Sequence, residues 1–165
     1  DWSSDVCSSD LAGQQLLRVD SEDSRAAGKE TEGRLVTAVR HAAREAGCIL
    51  LSDYGKGAVT PAVIEACLSA ARASGAVLIV DSKARSFARY GAADIVKPNA
   101  AELAAATDLP TETDDQIEAA LARALDLSRA KAVLVTRGSQ MALDHRASVG
   151  QLLENLCREK FTHDA

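Results

Sequence analysis

Aromatic residues and long apolar runs are scarce in this 165-residue sequence. Only 3% of its residues are aromatic, and the longest unbroken apolar run covers residues 76–80. A membrane-spanning helix needs about 20 such residues, so we expect no membrane span. Positively charged residues are also fewer than negatively charged ones, with 19 Lys and Arg against 24 Asp and Glu. This balance removes the electrostatic basis for sequence-independent binding, and we expect neither nucleic acid nor a membrane as a partner.

The four cysteines lie too far apart in the sequence to form a zinc-binding or redox pair. They are Cys7, Cys48, Cys67 and Cys157, whereas such motifs place two cysteines about two to four residues apart. The first eleven residues also lack the basic start of a secretory leader. We therefore expect a reduced, cytoplasmic protein.

Both ends of the chain differ from its middle. Residues 1–11 contain the sole Trp and show neither helical nor alternating apolar spacing. They resemble a translated sequencing-library adapter, so we predict an artefactual, disordered leader. Residues 144–165 include an amphipathic stretch, residues 149–156, that suits one short helix. A frameshift near Leu143 and a natural terminal helix are equal alternatives for this tail.

Strand-like and helix-like segments alternate through residues 12–143. The predicted strands are continuous apolar runs, which is typical of a parallel sheet with helices on both faces. The alternation therefore predicts an α/β fold in three α/β/α layers with a mostly parallel sheet. We predict strands at 14–20, 48–52, 76–80, 94–97 and 132–136, and helices at 32–46, at 61–74, after Asn99 and from about Asp114.

The predicted strands end in polar, glycine-containing turns. In open parallel sheets, ligands bind at the carboxyl ends of the strands. The ends here combine acids, bases and small residues, a mixture that suits a phosphorylated or nucleotide ligand. They read DYGKG at 53–57, DSK at 81–83, KPN at 97–99 and TRG at 136–138.

Two of these ends have a structural interpretation beside a functional one. The glycines around Lys56 would free backbone amides to bind phosphate beside the lysine charge, but a plain turn explains the same residues. Asn99 and Glu102, one helical turn apart, could orient a hydrated Mg²⁺. They also suit an ordinary capping box. On the residues alone the plain turn and the cap are favoured, and cap and metal site can coexist.

Five segments in one order resemble the heptose 7-phosphate kinase branch of the ribokinase-like (PfkB) carbohydrate kinases. The resemblance covers residues 12–143, and QQLLRVD and SDYGKG are its more specific parts. It implies phosphorylation of a heptose phosphate in ADP-heptose and lipopolysaccharide core synthesis, and often a fused nucleotidyltransferase domain. The segments are QQLLRVD at 14–20, LSDYGKG at 51–57, VDSK at 80–83, RYGAADIVKPNAAE at 89–102 and VLVTRG at 133–138.

The same resemblance implies site residues, ATP and Mg²⁺ as cofactors, a sugar phosphate as substrate and a homodimer in intact members. Asn99 and Glu102 match the Asn-x-x-Glu element that helps organise Mg²⁺ and the ATP phosphates. The implied nucleotide-binding residues are Asn99, Ala100, Ala101, Glu102, Thr136 and Gly138. Asp53, Lys56 and Lys83 match positions that face the sugar phosphate and the transferred phosphate.

The sequence also departs from the family. Ser82 stands where the family usually has proline, and the 165 residues contain no Gly-Ala-Gly-Asp element. That element supplies the anion hole and the catalytic aspartate, so we assign no catalytic residue here and predict that this chain alone is an inactive fragment. A fragment of another PfkB sugar kinase and a non-catalytic nucleotide-binding module stay open as alternatives.

Overall fold

The computed structural model of the protein describes residues 24–137 and the backbone of three flanking strands. Two of these, β1 (Cys7–Leu11) and β2 (Gln14–Val19), pair antiparallel in a sheet of their own. Strand β2 confirms the predicted edge strand. Strand β1 covers the second half of the predicted leader, residues 1–11, and the artefactual origin of that leader stays a prediction. Residues 1–6 and 149–156 lie outside the described part.

The larger sheet has five strands, and it confirms the predicted α/β fold with a mostly parallel sheet. Its order is β3-β4-β5-β6-β7, in which the first four strands are parallel and the last is antiparallel to its neighbour. The strands are β3 (Cys48–Asp53), β4 (Val77–Ser82), β5 (Ile95–Val96), β6 (Ala132–Arg137) and β7 (Gln140–His145).

Four helices and a 3₁₀ turn connect these strands. They are α1 (Lys29–Ala42), α2 (Pro61–Ser74), the 3₁₀ turn Phe87–Tyr90, α3 (Ala100–Thr107) and α4 (Asp114–Ser128). Helix α2 has the predicted start, with the Thr60 hydroxyl accepting from the Val63 amide at 3.3 Å. Helix α1 ends before the predicted residue 46, because Gly47 already accepts a hydrogen bond from Val77 beside the sheet. No described helix is long and apolar enough to cross a bilayer.

The two faces of the larger sheet have different surroundings. Successive side chains of a strand point to opposite faces. The position of a residue along its strand therefore determines which face its side chain lies on and what it packs against. Buried helix side chains pack against one face, here called the helix face, in the main core. The helix face includes Leu51, Val80, Val96 and Val133, and the opposite face carries a smaller strand-only cluster of Ile79, Ile95, Ala132 and Leu134.

Candidate functional site

The predicted site residues with described positions lie along the carboxyl ends of four neighbouring strands. Asp53 at the end of β3 is in register with Ser82 at the end of β4. Beyond the end of β5, Asn99 forms a parallel bridge with Thr136, the penultimate residue of β6. With strands about 4.8 Å apart, this row is about 14 Å long from β3 to β6. The fold therefore brings together four segments that are distant in the sequence.

Asn99 and Glu102 form the capping box that their spacing predicts. The Glu102 amide donates to Asn99 Oδ1 at 2.8 Å, and the Asn99 amide donates to Glu102 Oε2 at 2.8 Å. The Thr136 amide donates to the Pro98 carbonyl at 3.0 Å, which ties the end of β6 to the start of α3. The cap fixes both oxygen-bearing side chains at the start of the helix.

The first turn of α3 offers further groups to a nucleotide. Ala100 and Ala101 are its first two residues, where backbone amides have no partner within the helix. Small side chains leave these amides open to a phosphate. Gly138, the other residue expected here, lies outside the described part of the chain.

The oxygen donors at this helix start fit a hydrated Mg²⁺. Magnesium binds oxygen ligands, keeps several waters and needs only one or two carboxylates beside nucleotide phosphates. Asn99 and Glu102 supply an amide oxygen and a carboxylate of that kind. Among the described residues, no group of three or more His, Cys, Asp or Glu side chains is placed to hold a metal. An amide oxygen and one carboxylate suit an ion that takes its other ligands from water and nucleotide phosphates.

Lys56 and Lys83 are exposed near the other end of the row. The Lys83 amide donates to the Asp53 carbonyl at 2.9 Å, which places Lys83 beside the end of β3. Its ammonium nitrogen lies 4.5 Å from the ring centroid of Tyr54, a cation–π contact. Tyr54 was not anticipated from the sequence as a site residue, although its position directly after a strand is the signal that could have found it.

Asp53, by contrast, is 2% exposed, and its carboxylate is surrounded by partners. Oδ1 accepts from the Gly55 amide at 2.9 Å. Oδ2 accepts from the Tyr90 hydroxyl at 2.6 Å and lies 3.4 Å from Arg89 Nη1. Burial, reinforced by the hydrogen bond to Asp53, raises the pKa of Tyr90 well above its usual range. The described geometry shows Asp53 holding neighbouring segments, and its direct contact with a sugar phosphate stays a prediction.

Ser82, the residue that replaces the usual proline, is fully buried beside Tyr90. Its hydroxyl lies 2.6 Å from the Tyr90 hydroxyl and accepts from the Ala84 amide at 2.9 Å. Because Tyr90 donates its single proton to Asp53, the Ser82 hydroxyl donates to Tyr90. The serine thus extends a hydroxyl chain that ends at Asp53, which a proline side chain cannot do.

An ion pair links the two middle strands of the row. Lys97 Nζ lies 3.2 Å from Asp81 Oδ2, and both side chains are about one-third exposed. Asp81 belongs to β4 and Lys97 follows β5, so the pair lies between Lys83 and Asn99 along the edge. Lys97 is a further cation that was not selected from the sequence, although it lies in the KPN strand end.

A second Asp–Lys pair lies at the opposite edge of the sheet. Lys131 Nζ is 2.6 Å from Asp94 Oδ1, and Asp94 Oδ2 accepts from the Leu78 amide at 2.8 Å. Asp94 precedes β5 and Lys131 precedes β6, so this pair joins the amino ends of the strands. Its contacts attach the loops before β5 and β6 to the sheet. This pair can therefore be compared with the Asp81–Lys97 pair, which lies at the carboxyl ends of the strands.

Comparisons with known proteins identify relatives of this chain. A family model described as pfkB family carbohydrate kinase matches residues 9–148. The bifunctional protein HldE of Hyphomonas neptunium is 44% identical over 128 residues, which is 78% of this chain and 26% of that protein. HldE of Gluconacetobacter diazotrophicus is 40% identical over 151 residues, 91% of this chain and 31% of that protein. The chain thus spans less than a third of these relatives.

Solved structures share the fold. Phosphofructokinase-2 from Escherichia coli in complex with potassium matches with a TM-score of 0.62 and 24% identity, over 83% of this chain and 45% of that one. Arabidopsis thaliana ribokinase complexed with ribose and ATP matches with a TM-score of 0.56 and 24% identity, over 82% of this chain and 42% of that one. At these identities the likeness concerns the fold.

Proposed function

Because the chain belongs to the pfkB family of carbohydrate kinases, we propose that it is part of an enzyme that transfers a phosphoryl group from ATP to a sugar phosphate. One structural observation carries this proposal. Two clusters of groups suited to phosphates lie on one sheet edge, and the Asp81–Lys97 pair lies between them. Phosphoryl transfer depends mainly on positioning and charge neutralisation, which such a row supports.

The nucleotide end of the row is the start of α3 and the end of β6. Asn99 and Glu102 would hold Mg²⁺ through water, and the amides of Ala100 and Ala101 would bind phosphate oxygens. Thr136, tied to Pro98, would border the nucleotide, and Gly138 is proposed to do so from beyond the described residues. When bound, Mg²⁺ supplies charge neutralisation on the ATP phosphates.

The sugar-phosphate end is formed by the turns after β3 and β4. Lys56 and Lys83 are exposed cations there, and a phosphate dianion is stabilised by such neighbours. We propose that Asp53 acts in the same region by positioning this turn. Lys97 lies between the two ends, and its positive charge would stabilise the phosphoryl group as it passes from nucleotide to sugar.

The proposed substrate is D-glycero-β-D-manno-heptose 7-phosphate, phosphorylated at O1 for ADP-heptose and lipopolysaccharide core synthesis. The supporting observation is the similarity to proteins named bifunctional protein HldE, at 44% and 40% identity in the two alignments described above. A cytoplasmic location is consistent with synthesis of a soluble sugar nucleotide precursor, and a homodimer of the intact protein stays a prediction from the family resemblance. A fragment of another PfkB sugar kinase is the alternative within the family.

Binding and turnover separate the parts of this proposal. We expect the purified chain to bind Mg-ATP in isothermal titration calorimetry, and we expect Glu102→Gln to weaken binding about tenfold by removing a charge near the metal. A coupled kinase assay with heptose 7-phosphate should show no turnover, because the Gly-Ala-Gly-Asp aspartate is missing from the sequence. Absence of Mg-ATP binding would contradict the nucleotide site, and turnover would contradict the predicted inactivity.

Substrate choice is tested by competition on the same chain. Heptose 7-phosphate should displace a bound sugar-phosphate probe at lower concentration than fructose 6-phosphate or ribose does. The variant Lys56→Met should weaken binding of both sugar phosphates relative to ribose, because it removes the exposed charge while keeping an unbranched side chain. A preference for fructose 6-phosphate would favour the alternative sugar kinase.

A further inference from the structure

Gly57 lies against the backbone of a segment that precedes α1. Its φ of +81° is in the left-handed region, and a Cβ at this position would overlap the Arg25 carbonyl oxygen and lie 2.6 Å from the Arg25 carbonyl carbon. The Ala27 amide donates to the Gly57 carbonyl at 2.9 Å. The turn after β3 therefore meets the segment before α1 backbone to backbone, in a space that excludes any side chain.

The same turn is also held from its other side. We call residues 54–59, which join β3 to α2, the Lys56 loop. At its start, the Gly55 amide donates to Asp53 Oδ1 at 2.9 Å. At its end, Arg89 Nη2 donates to the Val59 carbonyl at 2.8 Å. Arg89 also lies 3.4 Å from the Asp53 carboxylate, so one guanidinium contacts both ends of the loop.

We propose that Gly57 and Arg89 are positioning residues that hold the Lys56 loop as a preformed phosphate-binding turn. This inference rests on the proposed function and adds the residues on which the sugar-phosphate end depends. A loop of six residues loses conformational entropy when it closes on an anion. Hydrogen bonds that already fix the loop remove most of that cost before the phosphate arrives.

The two glycines of the loop provide a matched pair of variants. Both have positive φ, +70° at Gly55 and +81° at Gly57, so alanine is strained at either position. Nothing lies within 4 Å of a Cβ added at Gly55, whereas one added at Gly57 meets Arg25. The difference between Gly55→Ala and Gly57→Ala therefore isolates the contact with Arg25 from backbone strain.

The experiment titrates inorganic phosphate into the full chain and follows backbone amides of the loop by NMR. We expect Gly57→Ala to weaken phosphate binding about tenfold, and Gly55→Ala at most about threefold. Affinity for Mg-ATP, which concerns the other end of the row, should be unchanged in both. Thermal unfolding of each variant checks that a change in affinity is not a loss of fold.

A second pair of variants decides the question if Gly57→Ala does not fold. Arg89→Ala should weaken phosphate binding about tenfold, and Arg89→Lys should restore it to within about threefold, because lysine can still donate to Val59 or Asp53. The Arg89 side chain is 36% exposed, so these changes leave the main core intact. A merely structural role of Arg89 would lower the unfolding temperature without changing phosphate affinity.

The outcomes distinguish this inference from the proposed function. Phosphate binding that is absent, or that Lys56→Ala leaves unchanged, contradicts the proposed sugar-phosphate end and this inference with it. Binding that depends on Lys56 but survives Gly57→Ala or Arg89→Ala at wild-type strength contradicts the inference alone. Binding that depends on Lys56, Gly57 and Arg89 supports both.

Discussion

The Tyr90 hydroxyl donates a 2.6 Å hydrogen bond to the Asp53 carboxylate, from a residue 37 positions further along the chain. Tyr90 ends the 3₁₀ turn after β4, and Asp53 ends β3. Both side chains are buried. The bond therefore joins the end of β3 to the 3₁₀ turn after β4, where water does not compete, and Tyr90 becomes part of the support of the candidate site.

Removal of this hydroxyl should destabilise the protein. We expect Tyr90→Phe to lower the free energy of unfolding by about 1.5–3 kcal/mol, because a hydrogen bond to a buried charge is lost and Ser82 loses its acceptor. Urea denaturation followed by circular dichroism measures the change. Tyr54→Phe, at a residue that is 58% exposed, is the control and should cost less than about 0.5 kcal/mol. Equal effects of the two variants would show that the Tyr90–Asp53 bond contributes nothing specific.

The raised pKa of Tyr90 predicts a loss of stability in alkaline solution. Burial and the Asp53 hydrogen bond keep the folded tyrosine protonated above its usual pKa of 10.0. Below about pH 10 both states are protonated and the contribution is complete. Above about pH 10 only the unfolded chain releases the proton, so the free energy of unfolding falls as pH rises.

The measurement compares the wild type and Tyr90→Phe between about pH 8 and about pH 11. The wild type should lose more stability across this range than the variant. Burial also raises the pKa of Cys67, but that thiol is present in both proteins and its effect cancels in the comparison. Parallel stability curves would contradict the prediction.

Lys97 should contribute to nucleotide affinity. We expect Lys97→Met to weaken Mg-ATP binding about tenfold in calorimetry, because a cation beside the nucleotide end is removed. Lys131→Met is the matched control, since Lys131 also pairs with an aspartate but at the amino ends of the strands. The control should bind Mg-ATP as the wild type does. A similar loss in both variants would indicate a general charge effect instead.

Replacement of Arg129 by glycine should stabilise the protein. Arg129 caps α4 with φ +55°, in the left-handed region that is unfavourable for a residue with a Cβ. We expect Arg129→Gly to raise the free energy of unfolding by about 0.5–1 kcal/mol, after allowance for the greater entropy of the unfolded glycine. Arg129→Ala keeps the Cβ and removes the charge, so it should bring no such gain. Chemical denaturation of both variants measures the difference.

The order and type of most elements between residues 24 and 137 follow from local patterns. Apolar runs predict β3, β4, β5 and β6, and Thr60 marks the start of α2 as expected. The end of α1 is less predictable. Its helical pattern continues to residue 46, but the Gly47 carbonyl accepts a hydrogen bond from the Val77 amide at the start of β4. That contact joins residues 30 positions apart, and no local pattern contains it.

The strand ends that carry the site could be located from the sequence, but the surroundings of each side chain could not. Asp53 and Asp81 both occur at strand ends and look equivalent in the sequence. Asp53 lies on the helix face, where Tyr90 and Arg89 surround it, and Asp81 points to the opposite face and meets Lys97. The difference depends on the register of β3 with β4 and on what packs against each face.

By itself, the sequence of this protein determined which segments become strands and helices and which polar residues end the strands, because those depend on spacing, capping and turn residues close along the chain. Only the tertiary structure decided that Asp53 is buried, that Lys97 pairs with Asp81 and that Gly57 touches Arg25. Each of these contacts joins residues from separate segments. Their distances are set by strand register and packing across the whole sheet.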